Sequence, residues 1–84
     1  MNQSVQTEEI RQRLNAIFRD VFYDKSIEIF DEMAAKDVEA WDSLNHINLV
    51  VAVEKNFKVS FTTRDVSSLR NVGDLIRLIQ KYVG

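Results

Sequence analysis

The residues of this chain whose types and spacing could do chemistry lie at Asp42, Ser43 and His46. An acid, a hydroxyl and an imidazole are the parts of a hydrolase relay. Their spacing works against one. On a helix opening at residue 43, Ser43 and His46 stand three apart and share a face. Asp42, however, adjoins the serine in the chain and is badly placed to orient the far imidazole nitrogen. There is no Gly-x-Ser-x-Gly turn and no evident oxyanion hole, so intrinsic catalysis is not expected. His46, with no partner visible in the sequence, reads as a solvated surface residue. Ser43 has a plain reading as a helix N-cap, with Asp42 completing the helix start. The same start suits an anion, which would face free backbone N–H groups and the positive end of the helix dipole.

The elements that must position these residues are legible from periodicity. Ile10, Leu14, Ile17, Phe18, Val21 and Phe22 form one apolar stripe at helical spacing, which predicts a first helix over 8–22 with Ser4 or Thr7 as its cap. From Tyr23 to Trp41 the period fades into a long acidic loop. A loop of this length has to pack on itself or serve a function. Ile29, Phe30 and Met33 are expected to pin it, with a short extra helix around 30–36 as the alternative. The second helix, 43–57, is apolar over a wide arc and is expected to be the most buried. Asn56 or Lys58 has to take the left-handed conformation at its end, where glycine is the usual choice. Thr62-Thr63-Arg64-Asp65 has the form of a capping box and opens a short third helix through Ser68. Asn71 caps a last helix with a second clean stripe: Val72, Leu75, Ile76, Ile79, Tyr82 and Val83.

Asp42-Ser43-Leu44 opening an apolar helix, followed by Glu54, Phe57 and a short Thr-capped segment, resembles the prosthetic-group site of acyl carrier proteins. The resemblance extends over residues 5 to 83, with one helix before the serine and two after it. It implies an all-α fold: a small acyl-carrier-like four-helix bundle with a long loop between helices 1 and 2 and a short third helix. It further implies phosphopantetheine, drawn from coenzyme A and attached to Ser43, with Asp42 and Leu44 completing the attachment motif. Trp41, Leu44, Asn45, His46 and Asn48 are then expected to meet partner enzymes. Ile47, Val50, Val53, Phe57, Phe61, Leu69 and Leu75 would line the cleft into which the family's acyl chains slip. Two bulky rings, Phe57 and Phe61, facing one cleft would fill much of it, so short or polar cargo is expected. Trp41 stands where fatty-acid-synthesis carriers often have a small residue, and Asn45, His46, Asn48 and Lys55 where they are usually acidic. That points to a free-standing carrier of a specialised fatty-acid- or polyketide-type pathway. An aminoacyl or peptidyl carrier, or a helical interaction module without cofactor, are the alternatives.

Composition is compatible with this reading. The 84 residues, 45% hydrophobic and 29% charged, suit one globular domain, with an ordered core over about 5–83. Residues 24–42 hold seven acids against Lys25 and Lys36, and no helix carries the basic stripe that phosphate backbones require, so nucleic acid is not an expected partner. No run approaches the roughly 20 apolar residues of a membrane span, and residues 1–4 do not look like a secretion signal. A cytoplasmic monomer without membrane insertion is expected. Its partners by resemblance are a phosphopantetheinyl transferase and acyl-activating or acyl-transferring enzymes and synthases. The chain contains no cysteine, so any thiol it uses must be imported, and a single histidine cannot build a metal site.

Overall fold

A computed structural model describes the backbone of residues 3–83 and the side chains from residue 7 onward. Four helices follow one another: α1 Gln3–Val21, α2 Ser43–Phe57, α3 Thr63–Ser67 and α4 Val72–Val83, with no strand among the described residues. A single 3-10 turn, Ala35–Asp37, interrupts the long loop between α1 and α2. It is much shorter than the helix considered for 30–36.

α1 starts at Gln3, about two turns before its apolar stripe begins at Ile10. Thr7 therefore sits inside the helix and is not its cap; the Ser4 side chain lies outside the described residues. The Thr7 hydroxyl accepts from Gln80 Nε2 and so ties α1 to α4. At the other end Tyr23 adopts φ 53°, Asp24 N–H returns to Arg19 O at 3.0 Å and Tyr23 N–H to Asp20 O at 3.4 Å. These two bonds close α1 in a Schellman turn, with tyrosine where glycine is the usual occupant.

The core is built from Ile10, Leu14, Ile17, Phe18 and Phe22 of the first segment, Leu49, Val53 and Phe57 of α2, and Val72, Leu75, Ile76 and Ile79 of α4, with Met33 from the loop. α2 is not the most buried helix. Only Leu49, Val50, Val53 and Phe57 of it are buried, whereas Leu44, Ile47 and Val51 remain 67%, 59% and 41% exposed. Its wide apolar arc is two stripes on different faces, one packed and one bare. Arg13 of α1 clamps the end of α2, donating to Asn56 Oδ1 at 2.9 Å and to Asn56 O at 2.6 Å, while its guanidinium lies 4.2 Å from the centre of the Phe57 ring. Lys58 then takes the left-handed conformation at φ 57°, as the missing glycine required.

The loop is held across the bundle mainly by backbone groups. Arg19 donates to Ile27 O at 2.7 Å, Asn15 Oδ1 accepts from Ile29 N–H at 2.8 Å, and Arg11 pairs with Asp31 at 2.7 Å. Met33 is buried and Ile29 packs on the core. Phe30 does not pin the loop: it is 47% exposed. The loop carbonyls of Met33 and Asp31 accept from Val72 N–H at 2.9 Å and Gly73 N–H at 2.8 Å. A Cβ on residue 73 would lie 3.2 Å from the Asp31 oxygen, so glycine is what allows this close approach. Trp41, at the far end of the loop, sets its indole edge-on to Phe18 with centroids 5.4 Å apart and tilted to Phe22 at 6.0 Å.

Candidate functional site

Every helix begins with backbone N–H groups that have no partner within the helix, and the two longer C-terminal helices treat theirs differently. At α4 the loop accepts from Val72 and Gly73, and Asn71 accepts from Asp74 N–H through its side chain at 2.9 Å and from Leu75 N–H through its carbonyl at 3.3 Å. That start is closed. At α2 the cap is Asp42, not Ser43: Asp42 Oδ1 accepts from Asn45 N–H at 2.9 Å and Asp42 O from His46 N–H at 2.8 Å. The N–H groups of Ser43 and Leu44 find no acceptor among the described residues, and both residues are exposed. Ser43 thus occupies the first helical position, its hydroxyl in solvent beside two free donors and the positive end of the dipole.

His46 is not the partnerless histidine expected from the sequence. Its Nδ1 accepts from the Trp41 indole N–H at 3.1 Å, and the two rings lie nearly parallel, planes 17° and centroids 6.2 Å apart. Trp41, His46, Asp42, Ser43 and Ala35 together line an open hollow of about 460 Å³. The geometry is not that of a relay. Asp42 Oδ1 is engaged by the backbone and His46 Nδ1 by an indole, so no carboxylate orients the imidazole toward the serine. No group of three metal-ligating side chains occurs among the described residues.

Other recognition residues of the sequence reading are tied down too. Asn45 Nδ2 donates to Ala40 O at 2.7 Å, and Asn48 Nδ2 to Asn45 Oδ1 at 3.2 Å. Leu44 alone of that set presents an unencumbered apolar side chain. Ile47, expected in the cleft, and Val51, not singled out at all, extend it along one exposed face at spacing i, i+3, i+7.

The chain superposes on a holo acyl carrier protein from Geobacter metallireducens, determined in solution by NMR, with TM-score 0.80 and 46% sequence identity over 83% of this chain and 80% of that one. This protein belongs to the acyl carrier protein family. An acyl-carrier-assigned chain from Mycobacterium tuberculosis shares the fold at TM-score 0.77 and 21% identity, over 86% of this chain and 96% of its own. No family model matches the sequence.

In this acyl carrier protein the residues expected to line an acyl cleft differ in burial. Val50, Val53, Phe57 and Leu75 are buried core, Phe61 and Leu69 are half-buried, and Ile47 faces out. Phe57 is covered by Arg13, whereas the Phe61 ring meets Tyr82 edge-on at 5.3 Å. α3 buries no residue of its own. It is held by its capping box, Asp65 N–H to Thr62 Oγ1 at 3.0 Å and Thr62 N–H to Asp65 Oδ2 at 3.1 Å, and by the Tyr82 hydroxyl, which donates to Asp65 Oδ2.

The Tyr82 hydroxyl first, and then the Thr62 N–H, hold the Asp65 carboxyl below the usual carboxylate range. The folded value lies below the unfolded one. The contribution of these bonds is therefore complete above the unfolded value and is lost as pH falls through the folded one. Tyr82→Phe is expected to move the Asp65 titration, followed by carboxyl NMR, back up toward the usual range. An unchanged titration would show that the bond is not made.

Proposed function

We propose that this protein carries acyl groups as thioesters on a phosphopantetheine arm attached to Ser43, as a single carrier domain in a specialised fatty-acid- or polyketide-type pathway. The observation that carries the proposal is the open start of α2: an exposed serine with two uncommitted backbone donors beside it, in a bundle whose α4 start is fully capped. These residues fit a phosphodiester, which would accept from those donors without displacing Asp42 from its cap. The arm would supply a terminal thiol, which a chain without cysteine cannot. Ser43 needs no internal base for its own modification. Its Oγ would form the new O–P bond as the pyrophosphate linkage of coenzyme A breaks, the adenosine bisphosphate half leaves and the hydroxyl proton passes to a base of the transferase. The protein is then substrate and carrier, and the catalysts are its partners: the transferase and the acyl-activating or acyl-transferring enzymes and synthases. Incubation with coenzyme A and a broad-specificity phosphopantetheinyl transferase should add one arm by intact mass. Failure with several transferases would overturn the proposal.

Leu44, Ile47 and Val51 are the surface we assign to those partners, because they form a bare apolar stripe running away from the attachment residue. Burial of such a stripe is nearly insensitive to screening, whereas exposed charge pairs weaken beyond a Debye length of about 10 Å at 0.1 M salt. Affinity for a cognate enzyme should change by less than about threefold between low and physiological ionic strength. A steep loss would shift recognition to the acidic loop, residues 24–42.

A further inference from the structure

The hollow beside Ser43 is walled by the Trp41 indole and the Ala35 methyl, and its volume of about 460 Å³ falls in the range of small-molecule sites, roughly 300–1,000 Å³. Its wall is built in advance. Trp41 is wedged against Phe18 and Phe22, and its N–H is spent on His46 Nδ1. An Nδ1 that accepts a hydrogen bond carries no proton, so in the neutral ring the proton sits on Nε2. That Nε2–H has no acceptor among the described residues. The lining thus combines an apolar face, an imidazole with an uncommitted N–H, the Asp42 cap and the serine hydroxyl.

Given the carrier reading, on which this inference rests, we propose that Trp41, Ala35 and His46 form a cradle for the pantoyl portion of the arm. The pantoyl unit, next to the phosphodiester, joins two geminal methyl groups to a hydroxyl and an amide carbonyl. The methyls suit the indole and alanine wall, and the carbonyl or hydroxyl oxygen suits the imidazole Nε2–H. A group tethered at Ser43 enters this hollow directly, since Ser43 is part of its lining. His46 acts here as a positioning residue, holding the arm and the tryptophan at once.

The test attaches an isotope-labelled arm enzymatically and records intact mass together with NMR of the whole protein. Expected are nuclear Overhauser contacts from the pantoyl methyls to the Trp41 indole and the Ala35 methyl, and a shift of the Trp41 Nε1–H resonance on attachment. His46→Leu should abolish these contacts while attachment still proceeds. His46→Gln, whose amide can accept from Trp41 and also donate, should retain them. A protein that gains the mass but shows no such contacts, or shows them instead at Phe61 and Leu69, overturns the cradle and leaves the carrier reading intact. A protein that gains no mass overturns both.

Discussion

Ser43→Ala is expected to fold and melt like the wild type, within roughly 0.5 kcal/mol, and to gain no mass at all with transferase and coenzyme A. The two halves of this result separate because Asp42, not Ser43, caps α2. Ser43 at the first helical position is exposed, and its hydroxyl makes no hydrogen bond among the described residues. Alanine is also the better helix former. Had Ser43 been the cap, the same substitution would have cost about 1 kcal/mol and confounded lost attachment with a frayed helix. Asp42→Ala is the control that should show that cost, as a lowered denaturation midpoint. A Ser43→Ala protein that still acquires the arm would place attachment on another hydroxyl.

Phe18→Ala should lose about 3–5 kcal/mol, out of a total of roughly 5–15 kcal/mol for a domain of ordinary stability. Phe18 is fully buried among the core side chains and is the ring on which Trp41 rests its edge. Removing it opens a cavity in the core and takes away one of the two aromatic supports of the loop just before Ser43. Urea denaturation should show the lowered midpoint. Trp41, the single tryptophan of the chain, should report a loosened environment in fluorescence even below the unfolding transition. Phe18→Leu, which keeps most of the volume, should recover much of the loss. A change under about 1 kcal/mol for the alanine variant would contradict the packing described here.

Local signals carried a large part of this architecture. The stripes of α1 and α4, the Thr62 capping box, the Asn71 cap and a left-handed residue at the end of α2, open between Asn56 and Lys58, were readable in the sequence because each depends on hydrogen bonds or side-chain spacing within about one helical turn. The Asp-Ser-Leu start was legible for the same reason, though not its register: aspartate and serine cap helices about equally well, and only the fold chose Asp42.

What the chain could not state locally concerns which surface meets which. α2 is apolar at Leu44, Ile47, Val50, Val51 and Val53, and nothing within it says that Val50 and Val53 go inward while Leu44, Ile47 and Val51 stay bare. Burial is decided by the neighbouring elements, and α1, the helix packed most closely on α2, covers only one side of it. Likewise Met33 is inside and Phe30 outside, because the loop is positioned by its carbonyls on Val72 and Gly73, which have no side-chain signature beyond the glycine itself. The tertiary fold also brought the Trp41 indole onto His46 and closed the start of α4 with loop carbonyls. It leaves the amides of Ser43 and Leu44 open, since no comparable segment among the described residues accepts from them. The sequence by itself determined the order of the four helices and which serine stands at the start of the second. Tertiary packing decided which helix start stays free to receive a charge, because the acceptors that close α4 come from residues some forty positions away in the chain.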